Sequence, residues 1–158
     1  MRAAWPGSLA PDGRPCDHGA ITTAVSPTGV LIVDDSCAFR GAARSVVEAA
    51  PGFTLVGEAE TGEEGVRLSA ERSPELVLLD INMPGMGGIE AARRITAQRP
   101  SVLVVLVTAT QRDHVPSSVA TCGAVTVVPK QDLRPSVLRR LWDAYRGTPP
   151  ADAEQLAG

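Results

Sequence analysis

Two apolar runs in this chain end in carboxylates, and two more end in a hydroxyl and an ammonium. Val30-Leu31-Ile32-Val33 is followed by Asp34-Asp35, and Leu76-Val77-Leu78-Leu79 by Asp80. Val102 to Val107 is followed by Thr108, and Val125-Thr126-Val127-Val128-Pro129 by Lys130. Short runs of large apolar residues closed by turn signals suit strands buried on both faces, as in a parallel sheet. Parallel strands bring their carboxyl ends to one edge, where open α/β sheets bind ligands. Three carboxylates gathered there repel, and they do not all ionise cheaply without a cation. Hard oxygen donors, few in number and leaving room for water and phosphate, suit Mg²⁺. Lys130 adds a mobile positive charge for a phosphoryl oxygen, and Thr108 adds a hydroxyl donor. The chemistry so described is phosphoryl transfer to Asp80.

Each of these residues also has a structural role open to it. A single strand-end Asp can cap a helix or turn, Thr108 can bond to backbone, and Lys130 can be a surface lysine with a buried stem. Pro84 and Gly85, in the stretch DINMPGMGG after Asp80, suit a turn that needs rigidity and then freedom in φ.

The elements that must position these residues alternate between strand and helix. Ser36 can cap a helix whose apolar stripe is Phe39, Ala42, Ala43, Val46, Val47 and Ala50, stopped by Pro51-Gly52. Phe53 to Ala59 reads as a strand, and Thr61 with Glu64 makes a capping box for a helix running to about Arg72. Gly87-Gly88 opens a helix through Ile89, Ala92 and Ile95 that ends before Pro100. A fourth helix is expected from Gln111 to Cys122, with Pro116 tolerable only in its first turn, and Gly123 after it. The last helix starts near Pro135, carries Leu138, Leu141, Trp142 and Tyr145 on one face, and stops at Gly147. Five strands alternating with five helices predict an α/β fold, a doubly wound parallel sheet with helices on both faces.

At 158 residues, 44% hydrophobic and 21% charged, the chain has the length and composition of one globular domain. A net charge of −3 and 3% aromatics argue against a nucleic-acid footprint of basic patches and stacking rings. Residues 1–28, with Pro6, Pro11, Pro15 and Pro27 among interleaved glycines, are expected to be a disordered extension; 29–147 form the domain and 148–158 a polar, flexible tail. No run has the length of a membrane span, and the extension lacks the apolar core of a signal peptide. Cys16, Cys37 and Cys122, odd in number and unrelated in spacing, favour reduced intracellular thiols, and Cys16 with His18 is too few ligands for zinc.

The set Asp34-Asp35, Asp80, Thr108-Ala109 and Lys130, with DINMPGMGG after Asp80, resembles the receiver domain of two-component response regulators, over roughly residues 29 to 147. That resemblance implies a CheY-like, flavodoxin-like sheet of order 2-1-3-4-5. It implies that Asp80 is the phosphoacceptor, that Asp35 binds Mg²⁺ directly and Asp34 largely through water, and that Asn82 adds its backbone carbonyl. It implies too that Thr108 moves toward the phosphorylated Asp and pulls the next loop with it. The implied partners are a sensor histidine kinase or phosphotransfer protein and a downstream protein target, with no direct nucleic acid or membrane. Docking, or pairing into a dimer, would use the face of the fourth helix, fifth strand and fifth helix, and the location would be cytoplasmic.

Two positions depart from the family pattern. Val127 stands where a Tyr or Phe is common, and Gln131 follows Lys130 where a Pro is common, the proline being Pro129 instead. A pseudo-receiver, whose shape phosphorylation no longer controls, is the reading Val127 favours. A receiver truncated from a DNA-binding regulator is a further alternative, since the VPKQDL stretch resembles receivers of that branch, while the 28 residues after Lys130 fit no helix-turn-helix domain. A metal-dependent phosphatase is disfavoured because Asn82, not a second carboxylate, follows the nucleophile. As an acceptor the protein would not be an enzyme in its own right.

Overall fold

Every residue of three strands is buried, and these strands are the apolar runs. The computed structural model describes residues 26–109 and 115–146. β1 (Thr28–Val33), β3 (Leu76–Asp80) and β4 (Leu103–Thr108) are buried throughout. β2 (Phe53–Ala59) and β5 (Thr126–Pro129) form the two edges of one five-stranded parallel sheet of order β2-β1-β3-β4-β5. β1 opens at Thr28, whose N–H donates to Gly52 O at 2.8 Å, so the sheet begins before the apolar run itself.

The pleat divides the core in two, because successive side chains point to opposite faces. Leu31, Val33, Val77, Leu79, Val104 and Leu106 lie on one face beneath α2 (Gly62–Arg72) and α3 (Gly88–Gln98). Val30, Ile32, Leu76, Leu78, Leu103 and Val105 lie on the other, beneath α1 (Cys37–Ala49) and α4 (Pro135–Tyr145). The stripe expected on α1 is narrower in the structure: Ala43, Val47 and Ala50 are buried, Phe39 and Val46 half-buried, and Ala42 exposed. Trp142 and Tyr145 pack against the second cluster, with Trp142 edge-on to Phe53 at 6.2 Å between ring centroids.

The caps follow the local sequence. Ser36 Oγ accepts from Phe39 N–H at 3.2 Å, and Thr61 Oγ1 accepts from Glu64 N–H at 3.1 Å. Glu64 returns its carboxylate to the N–H of Glu60, one residue before the reciprocal donor of a capping box. Gly87 and Gly88 start α3 against the end of β3: Gly88 N–H donates to Ile81 O at 2.9 Å, and a Cβ at Gly88 would overlap the carbonyl of Asp80.

The helix expected from Gln111 to Cys122 is not found in the described part of that stretch. Ser117–Thr121 form a 3₁₀ helix instead, with Pro116 as an extended cap residue at φ −60° and ψ 144°. Proline brings no N–H, and Ser117 and Ser118 are modest helix formers, so little local preference supports an α-helix there. Residues 110–114, the extension up to residue 25 with Cys16 and His18, and residues 147–158 lie outside the described residues. Among the described residues the sheet therefore carries four α-helices, not five.

Gly88→Ala should destabilise the protein by about 3 kcal/mol or more, since backbone must move to admit the methyl group. Gly41→Ala, in α1 with no atom within 4 Å of a new Cβ, should instead stabilise it by ~0.5–1 kcal/mol. Urea denaturation of both variants checks the pair.

Candidate functional site

The register of the sheet decides which polar residues meet. Val33 pairs with Leu79, Asp80 with Val107, and Thr108 with Pro129. The next residue after β1 is Asp34 and the next after β5 is Lys130, so Asp34, Asp80, Thr108 and Lys130 come to one edge of the sheet. Asp34, Asp35 and Asp80 each offer a carboxylate oxygen within 4.8 Å of the others. Asp34, Asp80 and Thr108 are buried, whereas Asp35 and Asn82 are exposed at the mouth.

Each charged group has specific neighbours. Asp34 Oδ1 accepts from Ser36 N–H at 2.7 Å. Lys130 Nζ stands 2.7 Å from Asp34 Oδ2 and 3.6 Å from Asp80 Oδ1, and 4.6 Å from the centroid of the Phe39 ring. The short approach to Asp34 Oδ2 is off the hydrogen-bond direction, so that buried oxygen has an ion-pair neighbour but no hydrogen bond. Arg40 Nη1 donates to the backbone carbonyl of Asp34 at 2.7 Å, and Asp34 N–H donates to Ala59 O at 3.0 Å.

Burial, followed by the charge of Asp34, pushes the Asp80 carboxyl up from 3.8 to about 6, against the pull of Lys130 and the Asn82 N–H. Three carboxylates against one ammonium leave an excess of negative charge that a divalent cation would neutralise. The donor set is all hard oxygen, and Asp34 Oδ2 is buried with no hydrogen bond. These residues fit Mg²⁺.

Every residue expected at the site from sequence lies at this edge or, for Asn82, two residues beyond it. Val127 is half-buried on β5, packed against the α2–α3 side of the core. Phe39 and Arg40 were not expected there. Phe39 was legible only as an apolar helix position, and Arg40 only as a charge six residues past Asp34, with no motif to mark it.

Among known proteins, the family model for the response regulator receiver domain matches residues 30–141. The chain is 33% identical over 131 residues to the response regulator GacA of Pseudomonas aeruginosa, an alignment covering 81% of this chain but 61% of that relative's length. A LuxR-family two-component response regulator from Aurantimonas sp. superposes with a TM-score of 0.69 at 30% identity, over 82% of this chain and 94% of that one. The CheX–CheY complex with beryllium fluoride and magnesium from Borrelia burgdorferi matches with a TM-score of 0.64 at 30% identity, over 75% of this chain and 90% of that one. Among the described residues no helix is long and apolar enough to cross a membrane.

The raised Asp80 pKa has a signed consequence for stability. The folded state favours the protonated form, so this contribution is fully present below the unfolded pKa of 3.8 and is lost as pH rises through about 6. In metal-free protein Asp80→Asn should therefore be more stable than wild type by ~1–3 kcal/mol near pH 8, with the gap closing below about pH 4. Urea denaturation in a chelator at several pH values measures it; a gap that does not depend on pH would remove Asp80 from the acidic cluster.

Proposed function

The chain belongs to the response regulator receiver family, and from that premise we propose that it accepts a phosphoryl group from a histidine kinase or phosphotransfer protein onto Asp80. One observation carries the reading: a buried carboxylate at the end of the central strand faces two further carboxylates and, at 3.6 Å, a lysine. In this reading an Asp80 oxygen forms the new bond to phosphorus while the donor's bond to phosphorus breaks, giving an acyl phosphate. With its pKa near 6, Asp80 is ionised at neutral pH and serves as a nucleophile.

Asp34, Asp35, Asp80 and the backbone carbonyl of Asn82 would hold Mg²⁺, which supplies charge neutralisation to the transferring group. Lys130 places its ammonium against a phosphoryl oxygen, leaving its ion pair with Asp34 to do so. Thr108 donates its hydroxyl to another oxygen once the group is in place. Phosphoryl transfer asks a protein mainly for such positioning and electrostatics. The protein is in this reading a cytoplasmic acceptor and signal carrier, not a turnover catalyst, and its receiver unit runs over residues 29–147. Its target docks where β5 and α4 meet the segment after Thr108, a face that also allows a dimer.

Val127 favours a second reading, the pseudo-receiver, because an aliphatic side chain at this half-buried site has no ring to swing inward. A ligand shifts two packings only by its differential interaction with them. Losing the ring removes one such difference and leaves the contact of Thr108 with the phosphoryl group, so coupling in the first reading is partial.

Two measurements test these readings. With acetyl phosphate and Mg²⁺ the intact mass should rise by one phosphate, and the gain should vanish in Asp80→Asn. Full-yield phosphorylation of that variant would overturn the assignment. Hydrogen exchange over residues 108–131 should slow with beryllofluoride in wild type, not in Thr108→Ala, and more strongly in Val127→Tyr. Equal exchange with and without beryllofluoride in wild type would favour the pseudo-receiver.

A further inference from the structure

The first turns of α1 reach back to the loop that carries the two acidic residues. Arg40 Nη1 donates to the Asp34 carbonyl at 2.7 Å, Nη2 lies 3.3 Å from Glu60 Oε2, and Nε lies 3.5 Å from Glu58 Oε1. Only 11% of the Arg40 side chain is exposed. The carbonyl it holds belongs to the peptide joining Asp34 to Asp35. Orienting that peptide plane sets the Cα of Asp35 and hence the direction in which its exposed carboxylate leaves the loop. Asp34 has a separate hold on its carboxylate, the N–H of Ser36 at 2.7 Å.

A cation beside an acidic cluster would by itself compete with a bound metal. Here Glu58 and Glu60 offset the guanidinium charge, while the planar fork keeps its geometry. Arg44 shares Glu58, with Nε at 2.7 Å and Nη2 at 3.0 Å, and both of these bonds go to Glu58 rather than to the loop.

We propose that Arg40 is a positioning residue for the divalent cation: clamped by Glu58 and Glu60, it fixes the Asp34–Asp35 peptide and so preorganises the Asp35 carboxylate for the metal. The inference rests on the metal reading of the site given above. Its two components oppose each other in sign, which makes it testable. Removing the positive charge alone would tighten Mg²⁺ binding, whereas releasing the loop weakens it.

The experiment is calorimetric titration of the full chain, stripped of metal, with magnesium chloride. Wild type should bind. Arg40→Gln should raise Kd roughly tenfold, the scale of losing a partner that orients a ligand. Arg40→Lys, which keeps the charge but not the fork, should raise it about threefold, and Arg44→Gln should leave it unchanged or slightly lower. Metal-free melting temperatures of the variants show whether each is folded. Unchanged or tighter binding in folded Arg40→Gln overturns the inference, as does an equal weakening in Arg44→Gln. If Arg40→Gln does not fold, Arg40→Lys decides: weaker binding supports the clamp and wild-type binding overturns it. Failure of wild type to bind Mg²⁺ would instead remove the metal reading, and this inference with it.

Discussion

Repulsion between carboxylates that the fold forces together is the constraint on which the rest of this structure depends. Parallel pairing brings strand ends to one edge, and burial there strips Asp34 and Asp80 of most of their water. Desolvation and a like charge both disfavour ionisation, which is why the Asp80 carboxyl is held near 6. A sheet edge of this kind is an unfavourable place for acids in the absence of a cation. The apolar strands on either side supply the stability that tolerates it, being buried across both of their faces.

The counterweights are partial. Lys130 approaches Asp34 closely yet leaves Oδ2 without a hydrogen bond, and it remains 3.6 Å from Asp80. The Ser36 N–H holds one oxygen of Asp34, and the Asn82 N–H lowers the Asp80 pKa. Removing one partner from a buried charged set costs more than the set as a whole contributes. A cation that binds only the folded state would convert the remaining repulsion into affinity, and the stability gained would follow its concentration. The acidic edge thus links folding stability to ligand binding through one set of side chains.

The two sides of the sheet are not equally built. β1 and β3 lie between α2 and α3 on one face and α1 and α4 on the other, with glycines allowing close approach: a Cβ at Gly65 would come within 2.9 Å of Val33 side-chain atoms. Between β4 and α4 the described elements are short, a 3₁₀ helix, a strand from Thr126 to Pro129 and a further 3₁₀ turn. Short elements with few buried residues are where local opening is least costly. Thr108 stands at the boundary between the well-packed half and this lighter one.

Much of the protein is legible in its residues alone. Continuous apolar runs of strand length identify β1, β3 and β4 as strands buried on both faces, Ser36, Thr61 and Pro135 mark helix starts, and the polar residue after each run identifies Asp34, Asp80, Thr108 and Lys130 as an edge cluster. These signals are local, and local steric and hydrophobic preferences suffice to read them. Where local preference is weak, as around Pro116, the sequence misleads, and in the described part of the expected helix Ser117–Thr121 form a 3₁₀ helix. Only the tertiary structure decided which helix side chains turn toward the site. Phe39 beneath Lys130 and Arg40 on the Asp34 carbonyl follow from the angle at which α1 packs on the sheet. That angle is set by contacts between residues far apart in the chain, such as Val47 with the β1–β3 core, so no spacing along the chain encodes it.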